Sequence, residues 1–251
     1  MTDVTLITGA SAGLGVDFAR QLSPRGKRLV LAARRKDRLD ALAAELGNAR
    51  AVEIDLGEPG SASRLMADIA AHGEQVDCLI NNAGFGLWGR FASLDGAKQR
   101  QMIDLNCGAL VELCHAVLPA MMARGHGAIL NVASTAAFQP GPGMATYFAS
   151  KAFVLSFSEA LHEEVAKAGV HVTALCPGPT ATEFGDVAGF KGNGIFQKLS
   201  STSADVVEAG LRALDSNRAV AIPGLLNKFG AQGQRLLPRA WLRKVTAAIK
   251  Y

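Results

Sequence analysis

Cysteine is scarce. Cys78, Cys107, Cys114 and Cys176 lie far apart in 251 residues, with no C-x-x-C pair and no Cys/His ligand spacing. That pattern excludes a disulfide framework, and no metal site is expected. The four read as reduced core thiols of a cytoplasmic protein. No uninterrupted apolar run reaches the ~18 residues of a membrane span. Strand-like residues begin almost at once in "MTDVTLITGA", so no secretory leader is expected before the fold. Linkers, low-complexity blocks and internal repeats are missing, which favours one domain over residues 1–251. The five histidines, His72, His115, His126, His162 and His171, are scattered and form no constellation. Acid is missing from 225–251, which carries Lys228, Arg235, Arg239, Arg243, Lys244 and Lys250. Taking those six from the net charge of +4 leaves −2 on the rest of the chain. The basicity is therefore local, and no nucleic-acid partner is expected.

What the chain does have is alternation. Seven short β-branched or aliphatic runs recur: "VTLITG", "RLVLAAR", "ARAVEID", "DCLINNAG", "GAILNVAS", "VHVTALCPG" and "RAVAIPG". Between them lie helical patterns such as Leu14, Phe18, Leu22 and Leu39, Leu42, Leu46. Strands separated by helices mean βαβ units. Right-handed crossovers put helices on both faces. The expected fold is α/β, a doubly wound seven-stranded parallel sheet of Rossmann-like form. Ligands of such sheets bind outside the carboxyl ends of the strands, where the chain's polar segments fall.

The stretch "TGASAGLG", Thr8 to Gly15, follows the first strand and runs into the first helix. Glycines there allow a tight turn, and the helix N-terminus offers N–H groups to a pyrophosphate. The spacing TGxxxGxG differs from GxGxxG and resembles the short-chain dehydrogenase/reductase family. The second strand ends in "LAARRKDR", with Arg34 and Arg35 where a carboxylate would accept from ribose hydroxyls. Guanidinium groups pair bidentately with phosphate, so NADP(H) is preferred over NAD(H). A solvated basic helix start is the plainer alternative. Asp37 lies too far into the helix to serve a ribose. Asp55 and Leu56 end the third strand, a position that borders the adenine in the resembling family. An acid at a helix N-terminus is the rival reading of Asp55.

Taken singly, the remaining segments are weak. "NNAG", Asn81 to Gly84, is ordinary strand-end turn chemistry. Ser134 in "NVAS" is as much a helix cap as a hydroxyl donor, and Asn106 sits in a helical pattern that Asn disfavours. In "YFASK" a helix would place Tyr147 and Lys151 one turn apart on one face, where a cation favours the phenolate. Together with "PGPTAT" these segments follow the short-chain dehydrogenase/reductase pattern over roughly residues 3–185. The resemblance implies that Tyr147 is the general acid/base and that Lys151 lowers its pKa and holds the nicotinamide ribose. It implies that Ser134 binds the carbonyl and that Asn106 supports a proton relay through water. It places cofactor contacts at Gly9, Ser11, Gly13, Leu14 and Gly15, then at Asn82, Ala83 and Gly84. Further contacts fall on Tyr147, Lys151, Pro177, Gly178, Thr180 and Thr182.

The expected activity is hydride transfer between NADP(H) and a small-molecule carbonyl or secondary alcohol, reducing an apolar ketone or 3-oxoacyl-type substrate. Residues 184–200, rich in glycine with Phe184, Phe190, Ile195 and Phe196, suggest a lid. Leu87, Trp88 and Phe138 follow strand ends and are placed in the same cleft. The basic tail, 225–251, spaces Leu237, Trp241 and Val245 four apart, with Pro238 and glycines against one long helix. It could dock on the domain, build a subunit interface or lie on an anionic membrane. By resemblance, the Asn106 and Tyr147 helices imply a homodimer or homotetramer. Two rival classes are a non-catalytic NADP(H)-binding sensor and a membrane-peripheral binding protein. An intact Ser134, Tyr147 and Lys151 set argues against the sensor.

Overall fold

The computed structural model describes residues 1–189, 201–234 and 238–248. Seven strands are present: β1 (Thr2–Thr8), β2 (Arg28–Ala33), β3 (Ala49–Glu53), β4 (Glu74–Asn81), β5 (Gly127–Val132), β6 (Val170–Leu175) and β7 (Val220–Ala221). They coincide with the seven runs of the sequence and form one sheet, ordered β3-β2-β1-β4-β5-β6-β7. Every pairing is parallel.

The described helices, in chain order, are α1 (Leu14–Leu22), α2 (Lys36–Leu46), α3 (Ser61–Ala71), α4 (Gly96–Ile103), α5 (Leu110–Arg124) and α6 (Ala145–Val165). They continue with α7 (Phe184–Ala188), α8 (Ser203–Asp215), α9 (Leu225–Gly233) and α10 (Arg239–Ala248). A π-helical turn, Asp104–Ala109, joins α4 to α5.

Neighbouring strand residues point to opposite faces, and both faces are apolar. Leu6, Val30, Leu79, Ile129 and Val172 pack with Leu65, Leu113, Val117 and Val154, from α3, α5 and α6. Ile7, Leu31, Ile80, Leu130 and Leu175 pack with Phe18, Leu39, Val207 and Leu211, from α1, α2 and α8. Each fully buried side chain of this size stabilises the fold by roughly 1.5–3 kcal/mol. The continuous helix Gly96–Arg124 has the length and composition to cross a membrane, with mean hydropathy 1.4. Here Leu110, Leu113, Val117 and Met121 seat it on the sheet instead.

Strand β1 has β2 on one side and β4 on the other, so the winding reverses there. The reversal opens a crevice at the strand carboxyl ends.

At the C-terminus the helix breaks where Pro238 and the glycines suggest. The docking stripe differs from expectation. In α10, Leu242 and Thr246 face inward while Trp241 and Val245 are exposed; Leu237 lies outside the described residues. Helix α9 buries Ala231 and exposes Leu225, Leu226 and Phe229.

Candidate active site

The glycine loop is tied to the strand-end asparagines. The Thr8 hydroxyl accepts from the backbone N–H groups of Asn82 and Ala83, both at 3.0 Å. The Asn82 amide donates to the carbonyls of Thr8 (2.9 Å) and Gly9 (3.2 Å). Asn82 therefore holds the loop from behind. A Cβ on Gly15 would lie 2.3 Å from the Gly9 carbonyl oxygen, so the turn admits only glycine there. Gly13 has φ +53°, and its missing Cβ faces the Thr182 side chain at 3.2 Å. The β6 loop thus lies against the glycine loop. Gly13 is the N-cap of α1 and supplies no side-chain cap, and Leu14 opens the helix. A loop without side chains at Gly9, Gly13 and Gly15, leading into the N-terminus of α1, fits a pyrophosphate.

The two arginines after β2 have separate partners. Arg34 is largely exposed, 3.6 Å from Asp55. The Asp55 carboxylate also accepts from the Gly57 N–H at 2.9 Å, and Leu56 is buried. Arg35 turns to the glycine loop and donates to the Ser11 hydroxyl (3.2 Å) and carbonyl (3.3 Å). Arg35 and Arg38 also both hold Glu183. A guanidinium at the loop mouth matches an anionic ribose substituent better than a bare hydroxyl.

Across the switch point lies a buried polar corner. Tyr147 and Lys151 occupy one face of α6 and are only 9% and 6% exposed. The Lys151 ammonium donates to the Val132 carbonyl at 2.7 Å and lies 5.9 Å from the Tyr147 ring centroid. Burial brings Lys151 down to about 8. Burial pushes the Tyr147 phenol up to about 12, against a Ser134 hydrogen bond that pulls it down. The expected depression of Tyr147 by Lys151 is not seen; desolvation, which disfavours the phenolate, sets the direction. Ser134 is the cap of the next turn: its hydroxyl accepts from the Ala136 N–H at 3.1 Å and donates to the Pro177 carbonyl at 3.5 Å, on the side of Tyr147.

Asn106 is buried in the π-helical turn. Its amide oxygen accepts from the Phe85 N–H (3.1 Å), and its amide nitrogen donates to the Phe85 carbonyl (3.0 Å) and Ser150 hydroxyl (3.1 Å). A side chain on Gly84 would meet Asn106 at 3.0 Å and the Lys151 ammonium at 3.5 Å. Beneath this corner, Asn81 donates to Asn131 (2.9 Å), and Asn131 donates to the Ser158 hydroxyl (2.9 Å).

Sequence reasoning missed Thr8, Arg38, Asn131, Ser150, Ser158 and Glu183. The pairing of β4 with β5 sets Asn81 opposite Asn131. Two buried-strand asparagines in register were the available signal.

An apolar wall stands beside the phenol. Phe184 lies 5.2 Å from the Tyr147 ring, and Phe148 makes an edge contact at 6.1 Å. Met102, Met144 and Ala188 complete it, with Phe85, Leu87 and Trp88 packed alongside. The Trp88 N–H donates to the Ala188 carbonyl at 2.9 Å, joining α7 to the β4 loop. Phe138 is not part of this wall; it packs against the core of the α3/α5/α6 face. The following 3₁₀ turn, Thr135–Phe138, carries it away from the cleft.

On the β6 side, the Pro177 carbonyl accepts from the Thr135 N–H (2.8 Å), and the Asn227 side chain fills the space beside Gly178. Thr180 donates to the Gly178 carbonyl (2.9 Å) and forms a parallel bridge with Ser201. Thr182 accepts from the Phe184 N–H (3.3 Å). Of the expected lid, Phe190, Ile195 and Phe196 lie outside the described residues.

Comparison with known proteins agrees with this architecture. The family model described as short chain dehydrogenase matches residues 3–189. Sulfoacetaldehyde reductase 2 of Chromohalobacter salexigens is 39% identical over 189 residues, 73% of this chain and 75% of that protein. The NADP-dependent 3-hydroxy acid dehydrogenase of Escherichia coli K12 is 37% identical over 193 residues, 76% of this chain and 77% of that protein. Among solved structures, a short-chain dehydrogenase from Sphingobium yanoikuyae in complex with NADPH superposes with TM-score 0.83. It is 35% identical, with 94% of each chain covered. The bulky-bulky ketone specific alcohol dehydrogenase of Comamonas testosteroni gives TM-score 0.78 at 30% identity, covering 94% of this chain and 93% of that one.

Proposed function

Because the chain belongs to the short-chain dehydrogenase/reductase family, we propose that it is an NADP(H)-dependent reductase of apolar ketones or 3-oxoacyl-type compounds. The observation that carries this reading is the buried corner where Ser134, Tyr147 and Lys151 meet beside an apolar wall. When bound, the nicotinamide supplies the hydride. Ser134 holds the carbonyl oxygen by hydrogen bond. Tyr147 gives that oxygen its proton as negative charge develops there. Lys151, fixed by the Val132 carbonyl, keeps a cation beside the phenol and would be the residue to hold the nicotinamide ribose. Asn106 fixes the Phe85 backbone, and with it the loop after β4. In reverse, Tyr147 as phenolate takes the alcohol proton.

Arg34 and Arg35, at the end of β2, support NADP(H) over NAD(H). The aromatic and aliphatic side chains beside Tyr147 support an apolar substrate. A panel of ketones and 3-oxoacyl thioesters, read by loss of NADPH absorbance, tests the assignment. Tight NADPH binding with no turnover on any member, and no difference on Tyr147→Phe, would return the protein to the sensor class.

One seven-stranded sheet runs through the described residues, which supports a single catalytic domain, with 184–200 as lid and 225–251 as appended tail. Four unpaired thiols support a reducing, cytoplasmic location. Exposed Ile103, Met122 and Phe153 on the α4–α6 surface support self-association. Light scattering reads it directly, and a monomer at all concentrations overturns it.

The tail carries a second reading. Leu225, Leu226, Phe229, Trp241 and Val245 are exposed beside Lys228, Arg239, Arg243 and Lys244, with no acid. Like charges oppose pairing of two such tails, whereas an anionic bilayer complements them. Co-sedimentation with phosphatidylserine vesicles is expected, and its loss in Leu226→Glu. Failure to sediment, with a smaller particle on truncation, would give the surface to a second copy instead.

A further inference from the structure

Glu183 lies in the loop after β6, and its partners come from the opposite side of the crevice. Its carboxylate accepts from Arg35 at 3.0 Å and from Arg38 at 2.7 Å. Arg35 follows β2, Arg38 lies in the first turn of α2, and Arg35 also grips Ser11 of the glycine loop. Thr182, the residue before, lies against Gly13. The Glu183 side chain thus crosses the mouth of the glycine loop, and its oxygens sit in a fork of two guanidinium groups. Such a fork recognises carboxylate and phosphate by the same paired N–H donors. Arg38 first and Arg35 second hold the Glu183 carboxyl below the usual carboxylate range.

We propose that Glu183 is a specificity-determining residue that stands in for the cofactor's 2′-phosphate. The proposal rests on the reading of Arg35 as the phosphate anchor. With NAD(H), which carries a 2′-hydroxyl, Glu183 stays on both arginines and the fork is not left as uncompensated positive charge. With NADP(H), the more highly charged phosphate takes the fork and Glu183 moves off. All three side chains are 41–46% exposed. Exposed ion pairs of this kind are weak, so exchange is easy. The resident carboxylate therefore narrows the gap between the two cofactors, because only the phosphate must displace it. Arg38, which the β2-end motif does not mark, shares the anchoring with Arg35.

The test is equilibrium binding by calorimetry with adenosine 2′,5′-bisphosphate and adenosine 5′-monophosphate, which differ by the 2′-phosphate alone. In Glu183→Gln the bisphosphate is expected to bind roughly fivefold more tightly, the scale of exposed ion pairs, while the monophosphate changes less than twofold. The bisphosphate gain should shrink as salt is raised. Arg35→Ser is the control. If it leaves preference for the bisphosphate intact, the phosphate-anchor reading falls and this proposal falls with it. If Arg35→Ser removes the preference but Glu183→Gln leaves the bisphosphate affinity unchanged or weaker, the proposal for Glu183 alone is overturned.

Discussion

The two ends of the crevice are built from different materials. At the β2 end, Arg34, Arg35, Arg38 and Glu183 are charged and partly open to water, Arg34 most of all. At the β5 end, Asn81, Asn106, Asn131, Ser150 and Ser158 are neutral and buried, and each has a hydrogen-bond partner. The first kind of contact is weak, screened by salt and replaceable one residue at a time. The second is costly to break, because a partner left behind is a buried unpaired polar group. On the proposed reading, choice of cofactor is therefore adjustable, whereas the geometry around the phenol is held by contacts that resist change.

The largest test of that contrast is Tyr147→Phe. We expect kcat to fall by about 10²–10⁴ with dinucleotide affinity unchanged, because general acid catalysis contributes on that scale. Steady-state kinetics beside calorimetry would show it, and loss of affinity instead would mean the phenol is part of the binding frame. Next comes Ser134→Ala, with a fall in kcat of about 10² from a lost hydrogen bond to the developing oxyanion. An unchanged kcat would leave Ser134 only as the cap of the turn after β5. Third is Asn131→Ala, which leaves the Asn81 amide only its Cys114 contact, takes the donor from the Ser158 hydroxyl, and should cost about 1–3 kcal/mol by urea unfolding. That cost should not vary with salt; if it does, the buried end is less dry than its side chains indicate. The smallest effect belongs to the open end. Arg34→Ser, which releases Asp55, should weaken NADPH binding by less than about fivefold, and less again at high salt. A salt-independent loss of a hundredfold would erase the contrast.

The contrast also has a pH signature. Only two tyrosines exist, so Tyr251→Phe leaves Tyr147 as the sole phenol. Its ultraviolet titration should show no phenolate below about pH 10 in the cofactor-free protein, since burial holds it above the ordinary value. Adding oxidised dinucleotide should bring the onset to lower pH, because a nearby cation favours the phenolate. Ionisation near neutral pH without cofactor would show that Lys151 alone suffices.

The sheet was legible because strands buried on both faces are continuous apolar runs, and seven such runs appear as seven strands. The strand-end segments were legible because glycine and asparagine have few other reasons to stand there. What the chain could not display was contact at a distance. Glu183 meets Arg38 across 145 positions, and Thr8 meets Asn82 across 74. Neither pair leaves a local pattern. Phe138 was misplaced for a related reason: following a strand end does not tell which way the next turn leads. The direction of the Tyr147 shift was also hidden, because spacing brings a lysine near but says nothing about how dry the phenol becomes.

The π-helical turn at Asp104–Ala109 gives the helix one residue more than a regular turn would hold. Deleting one residue there would let the chain close into an ordinary helix, with Leu110, Leu113 and Val117 still on the sheet. The loss would be local: the Asn106 amide would no longer be presented to the Phe85 backbone and the Ser150 hydroxyl. The wide turn thus lets one helix serve two masters, a floor that needs regular spacing and a corner that needs an amide out of step with it.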